Sequence, residues 1–250
     1  MLTGGVINPN SMDRHVEVLP DLAALVDRSL ELVLEKLNDA IAHRSMATIA
    51  LSGGSTPKPL YEKLAEQDLP WDQIHVFWGD ERYVPPTHED SNYRMARLAW
   101  LDKVPIPAKN IHPMLTNEAD PAIAAQSHEA DIQIFFQIKP GEFPAFDVIL
   151  LGIGDDAHTA SLFPGTDALK VNDRLITVGH KDGQPRITFT APFINHARTV
   201  LFMVAGENKQ HALSQIFAPD ADAMNCPSRL IQPQGELWWL LDQSAGKNFS

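Results

Sequence analysis

Leu22, Leu25, Leu30, Val33, Leu34, Leu37 and Ile41 recur at helical spacing with charged residues between them, which predicts a helix over residues 21–43 laid against a core. The short apolar runs 46–51 and 74–78 predict strands, and a helix over 57–66 tolerates Pro57 in its first turn. A charged loop follows the second strand, then a helix over 91–101 and an alanine-rich helix over 120–138 that Pro140 and Gly141 end. The residues 146–151 are almost wholly apolar, as expected of a strand buried on both faces, and such strands belong to parallel sheets covered by helices. Further strands are predicted at 175–178, 186–190, 199–204 and 237–241, with a helix over 207–217. Strands alternating with helices indicate a three-layer α/β/α sandwich built on a largely parallel, Rossmann-like sheet. Residues 105–121 are the least regular stretch.

At 250 residues and 44% hydrophobic side chains the chain can bury a real core, and one domain over residues 1–250 is expected. No apolar run approaches the ~18–20 residues of a membrane span. The first fifteen residues lack a basic region followed by an apolar one, so a cytoplasmic location is expected. Cys226 is the only cysteine, which excludes an intramolecular disulfide and a cysteine-based metal cluster. A formal charge of −12 argues against nucleic acid as a partner, although a small anion remains acceptable where a few cations converge. The ten histidines show no ligand spacing of the H-E-x-x-H kind, so a metal site is not indicated.

Three loops carry chemistry. After residues 46–51 come Gly53, Gly54, Ser55 and Thr56, where glycines permit a tight turn, hydroxyls are added, and the following helix offers free amides: a phosphate cradle. The Walker A spacing is absent. After residues 74–78 come Asp80, Glu81 and Arg82; the planar fork of Arg82 suits a carboxylate or phosphate, and Asp80 is either a base or the group that holds that arginine. After residues 146–151, a Gly-x-Gly turn delivers His158 between acidic and hydroxyl side chains, where ligands of parallel sheets bind. Gly152 to Ala157 also satisfies the dinucleotide pattern G-x-G-x-x-A, but Asp155 and Asp156 repel a pyrophosphate and Pro164 cuts short the helix that pattern needs.

GGSTP, GDERYVP with the following DSN, GIGDDAHTASLFPG, PRITFT and GENK stand in the order and spacing of the 6-phosphogluconolactonases, and residues 51–213 resemble that family throughout. The resemblance implies a fold related to glucosamine-6-phosphate deaminases, hydrolysis of 6-phospho-D-glucono-1,5-lactone in the oxidative pentose phosphate pathway with no metal or organic cofactor required, and a small sugar-phosphate lactone as partner. It also implies His158 as general base, Asp156 orienting it, Arg82 as a candidate for oxyanion stabilisation, and Asp80 in the site. The phosphate is expected near Gly53, Gly54, Ser55 and Thr56, with Arg186 and Lys209 supplying positive charge. One rival is an isomerising deaminase with Asp80 as base, whose loops resemble MDEY and DGHIAFNEP where this chain has GDERY and DAHTASLFP. Another is a sugar-phosphate sensor without catalysis. One departure stands out: Ala157 occupies a position where the family usually has glycine, a cost of about 1 kcal/mol if the backbone there is left-handed.

Overall fold

The computed structural model describes residues 14–249. The strands are β1 Arg14–Leu19, β2 Ala47–Leu51, β3 Ile74–Trp78, β4 Asp80–Arg82, β5 Val148–Leu151, β6 Ile176–Lys181, β7 Gln184–Phe189, β8 Thr199–Val204 and β9 Glu236–Asp242. The helices that matter below are α1 Leu22–Arg44, α2 Lys58–Leu64, α3 Asn92–Ala96, α4 Pro121–Phe136, α5 Ala191–Ile194 and α6 Gln210–Ile216. Six strands form one parallel sheet in the order β1-β9-β8-β5-β2-β3.

Its central strands read as continuous apolar runs because both faces are covered. Ile49, Leu51, Val148, Leu150, Leu201 and Met203 pack on one side with Leu25 and Leu37 of α1 and Leu60 of α2. Ala50, Ile149, Leu151, Val200 and Phe202 pack on the other with Ile132 of α4 and Leu213 of α6. Local chemistry starts the helices where the periodicity does. The Asp21 carboxylate accepts from the Ala24 amide at 2.8 Å to cap α1, and Asp120 does the same for α4 from Ala122, with Pro121 in the first turn.

Three expectations change. Residues 175–178 and 186–190 do not extend the parallel sheet: β6 and β7 form a hairpin through Asp182 and Gly183, both at positive φ, and this hairpin joins β4 in a separate antiparallel sheet, β4-β7-β6. Ile176, Ile187 and Phe189 place that sheet over the α4 side of the core, so the layer there is part helix and part strand. The charged loop after β3 contains β4. Finally, β1 was not expected at all; it is an edge strand whose exposed and half-buried positions dilute its apolar pattern.

Candidate functional site

The carboxyl end of β5 opens directly into the histidine loop. His158 lies between two residues held in left-handed backbone, Ala157 at φ 63° and Ala160 at φ 46°. Each costs about 1–2 kcal/mol in an L-residue, so the loop must be held from outside. It is: the Ala157 carbonyl accepts from the amide of Ser228 at 3.1 Å and from its hydroxyl at 2.9 Å, while Thr159 Oγ1 donates to the Gly152 carbonyl at 2.9 Å. Ala157 therefore does occupy a conformation that favours glycine, and its methyl is fully buried in the core.

This geometry brings His158 Nδ1 to 2.5 Å from Asp156 Oδ1, and the same oxygen accepts the His158 amide at 3.1 Å. A side chain at Gly154 would place its Cβ 2.0 Å from Nδ1, so the second glycine of the Gly-x-Gly turn is the space the imidazole occupies. An ionised carboxylate at Nδ1 selects the tautomer with Nδ1–H and leaves the Nε2 lone pair to accept a proton. Burial pushes the His158 pKa below its ordinary value, assisted by the charge of Lys181; Asp156 and, more weakly, Asp80 pull the other way without cancelling the shift. Burial acts on Asp156 in the raising direction, yet the bonds from His158 and the Lys181 charge hold its carboxyl below the usual range.

Strand β4 supplies the second group of residues. Asp80, Glu81 and Arg82 lie opposite Thr188, Ile187 and Arg186 of β7. Glu81 is buried and accepts from the amides of Arg82, Asn92 and Tyr93, each at 2.8 Å, and from the Ser91 hydroxyl at 3.1 Å, so it fastens the start of α3 to β4. Arg82 and Arg186 therefore face the same place from adjacent strands. Arg82 donates through Nη1 to the Asp90 carbonyl at 2.9 Å, and the buried Nε of each arginine has no described partner. Burial and the neighbouring Arg82 charge lower the Arg186 pKa. Two adjacent guanidiniums with uncommitted donors stabilise an anion between them and repel each other without one.

These elements enclose a cavity of about 320 Å³. Gly53, Gly54, Ser55, Thr56, Asp80, Arg82, His158, Arg186 and Lys209 all line it, whereas Asp156 supports His158 from behind. The glycine loop approaches the second motif closely: a Cβ at Gly53 would fall 1.9 Å from Asn92 Oδ1, and Asn92 Nδ2 donates to the Asp80 carbonyl at 3.0 Å. Lys209 is less free than its expected role implies. Its Nζ lies 2.6 Å from Asp155 Oδ1, an oxygen that also accepts from Asn208 at 2.9 Å, so the histidine loop holds the lysine. That ion pair, together with the weaker pull of Asn208, lowers the Asp155 pKa.

Asn92, Asn208, Ser161, Phe163 and Lys181 were not anticipated as site residues. Asn92 and Asn208 line the cavity, and both stood inside motifs already noticed, DSN and GENK. Phe163 packs its ring against His158 at a centroid separation of 4.5 Å and carries Lys181 and Arg186 over its faces, contacts that no sequence spacing reveals. Among the described residues, no group of three or more His, Cys, Asp or Glu is placed to hold a metal ion.

Fold and site together define an α/β protein whose parallel sheet ends in a cationic cleft with a carboxylate-oriented histidine. The family of glucosamine-6-phosphate isomerases and 6-phosphogluconolactonases has a model that matches residues 20–239, and the chain belongs to that family. A 6-phosphogluconolactonase of Nostoc sp. is 65% identical over 96% of this chain and 100% of its own length. One of Synechocystis sp. is 64% identical over 95% and 99%. Among solved structures, the 6-phosphogluconolactonase from Trypanosoma cruzi superposes with a TM-score of 0.84 at 30% identity, over 96% of this chain and 98% of that one.

Proposed function

We propose that this protein is a lactone hydrolase that converts 6-phospho-D-glucono-1,5-lactone to 6-phospho-D-gluconate, with His158 as general base. The substrate is carried by the full-length relatives at 65% and 64% identity. The observation that carries the chemistry is the 2.5 Å pairing of His158 Nδ1 with Asp156 at the wall of a cavity that also presents Arg82 and Arg186. In this reading His158 Nε2 takes a proton as a water oxygen bonds to the lactone carbonyl carbon, giving a tetrahedral oxyanion. Collapse breaks the bond from that carbon to the ring oxygen, and the imidazolium returns its proton to the departing oxygen, which becomes a hydroxyl. Proton count balances, and no acyl-enzyme is formed. With its pKa below the ordinary ~6.5, His158 is largely neutral at pH 7, the state a base needs.

The same reading assigns the phosphate to the loop Gly53 to Thr56 with Arg186 and Lys209, and the oxyanion to Arg82. It sets the reaction in the oxidative pentose phosphate pathway. The test is a direct pair of assays on purified protein, with spontaneous hydrolysis subtracted. We expect the phosphorylated lactone to be hydrolysed and no ammonia to leave glucosamine 6-phosphate; ammonia at a comparable rate would reverse the reading in favour of the isomerising branch of the family.

A further inference from the structure

Ser161 ends the histidine loop and does not itself line the cavity, but it touches Asp80, which does. It is fully buried, its Oγ donates to Asp80 Oδ2 at 2.5 Å, and its amide donates to Thr188 Oγ1 at 3.1 Å. Asp80 and Thr188 are themselves cross-strand partners in β4 and β7. One side chain thus ties the loop bearing His158 to the sheet bearing Arg82 and Arg186, across 81 positions of sequence. We propose that Ser161 is a positioning residue for the reaction, acting through Asp80.

Two consequences of the geometry support this. First, the loop between Ser161 and His158 contains Ala160 in left-handed backbone, and Ala157 on the other side of His158 is left-handed too. Ser228 holds the Ala157 end of the loop and Ser161 the other, with Thr159 bonded to the Gly152 carbonyl between them, so losing the Ser161 bond frees one of the anchors that keep the imidazole over the cavity. Secondly, the bond commits Oδ2 of a carboxylate that is 6% exposed and lines the cavity. Among the described residues, no donor reaches Oδ1. The carboxylate cannot turn without giving up a charge-assisted bond, so it presents one fixed oxygen to a ligand hydroxyl or to the attacking water. Its negative charge also acts on His158, in the direction that favours the imidazolium.

The inference rests on the lactonase reading and deepens it. Ser161→Ala removes one buried oxygen atom and no carbon, so the fold should survive; a melting curve checks this. We expect kcat on the phosphorylated lactone to fall roughly 10- to 100-fold, the range for losing a hydrogen bond to a charged group, with KM changed less than about threefold because the phosphate contacts are untouched. Binding of 6-phosphogluconate, measured by calorimetry, should change as little as KM. In the isosteric Asp80→Asn background, where the charge-assisted bond is already gone, the further loss from Ser161→Ala should shrink at least threefold. Ser161→Ala with wild-type kcat, or losses that simply multiply in the double variant, would overturn the role assigned to Ser161. A fall in melting temperature with kcat intact would overturn it equally, since the serine would then serve only the fold. The wild-type protein in the same assay separates the two levels: absence of lactone hydrolysis there sinks the proposed function itself.

Discussion

Two of the sites where the protein packs imidazoles against its interior are treated differently. On the α4 side of edge strand β3, His75 Nδ1 lies 3.0 Å from His112 Nε2, and the His112 ring stacks on Phe77 at 4.2 Å with Phe135 edge-on at 5.0 Å. His128 of α4 is 4% exposed beside them, with an Nε2 that has no described partner. Burial, with neighbouring histidine charge adding to it, lowers His112 and His128 to about 4, and these rings act as polar-edged aromatic filling. His158 is also buried enough to be pushed down, but Asp156 at 2.5 Å opposes the push and fixes the tautomer. Burial is common to both places. What separates a reactive histidine from a structural one here is a carboxylate on one ring nitrogen and a cavity at the other.

The largest expected effect breaks the reactive half of that comparison. His158→Ala or His158→Asn should reduce kcat by roughly 10² to 10⁴, the usual range for one general base, with little change in melting temperature because the side chain borders a cavity. His128→Leu, a change at a more deeply buried histidine, should leave kcat within about twofold. Steady-state kinetics of the two variants side by side decide the matter: if the His128 variant lost more turnover than the His158 variant, the assignment of the base would be wrong.

A smaller effect is expected at the cations facing His158. Arg186 has a buried, unpartnered Nε beside the like charge of Arg82, so Arg186→Ala should remove most of a charge-assisted contact to phosphate. Such contacts are commonly worth about 1.5–3 kcal/mol, so preference for the phosphorylated lactone over gluconolactone should fall roughly 10- to 150-fold in kcat/KM. Lys209→Ala should fall at the low end of that range, because Lys209 already shares its charge with Asp155. Either variant slowing both lactones by the same factor would move that residue from phosphate recognition to the chemistry or the fold.

Much of this arrangement was legible in the amino-acid order, and the physical reasons are specific. Central strands β2, β5 and β8 are covered on both faces, so they announce themselves as unbroken apolar runs. The glycines and charged residues placed just after β2, β3 and β5 mark the edge where a parallel sheet binds its ligands. Nine of the ten expected site residues line one cavity, and Asp156 touches the histidine it was expected to orient. What escaped were contacts between distant segments. Ser161 meeting Asp80, Phe163 under Lys181, and Lys209 held by Asp155 depend on how loops fold over one another, which no periodicity encodes. Edge strand β1 and short strand β4 escaped because their polar positions read as terminus and loop. The second sheet did leave a signal, the Asp182-Gly183 pair that favours a two-residue hairpin turn.

The smallest effect on activity, and the one that sharpens the structural half of the comparison, is a pH dependence of stability. His128 has a folded-state pKa of about 4 against an ordinary value of 6.5. A base whose pKa is depressed by folding binds fewer protons folded than unfolded. Its neutral form therefore contributes full stability above about pH 6.5, and that contribution is lost as the pH falls towards 4. The ceiling for one such group is on the order of 3 kcal/mol, and relaxation of the packing at low pH will reduce it. His112 titrates with the same sign and adds to the slope. Urea midpoints between pH 7.5 and 4 should thus decline for the wild type, and His128→Leu should flatten part of the decline while kcat at pH 7.5 stays unchanged. Native carboxylates that protonate below pH 5 contribute to both proteins alike, so the difference between the two curves isolates the histidine. If the curves ran parallel across that window, the buried rings would not be held neutral by their surroundings, and the contrast with His158 would lose its physical basis.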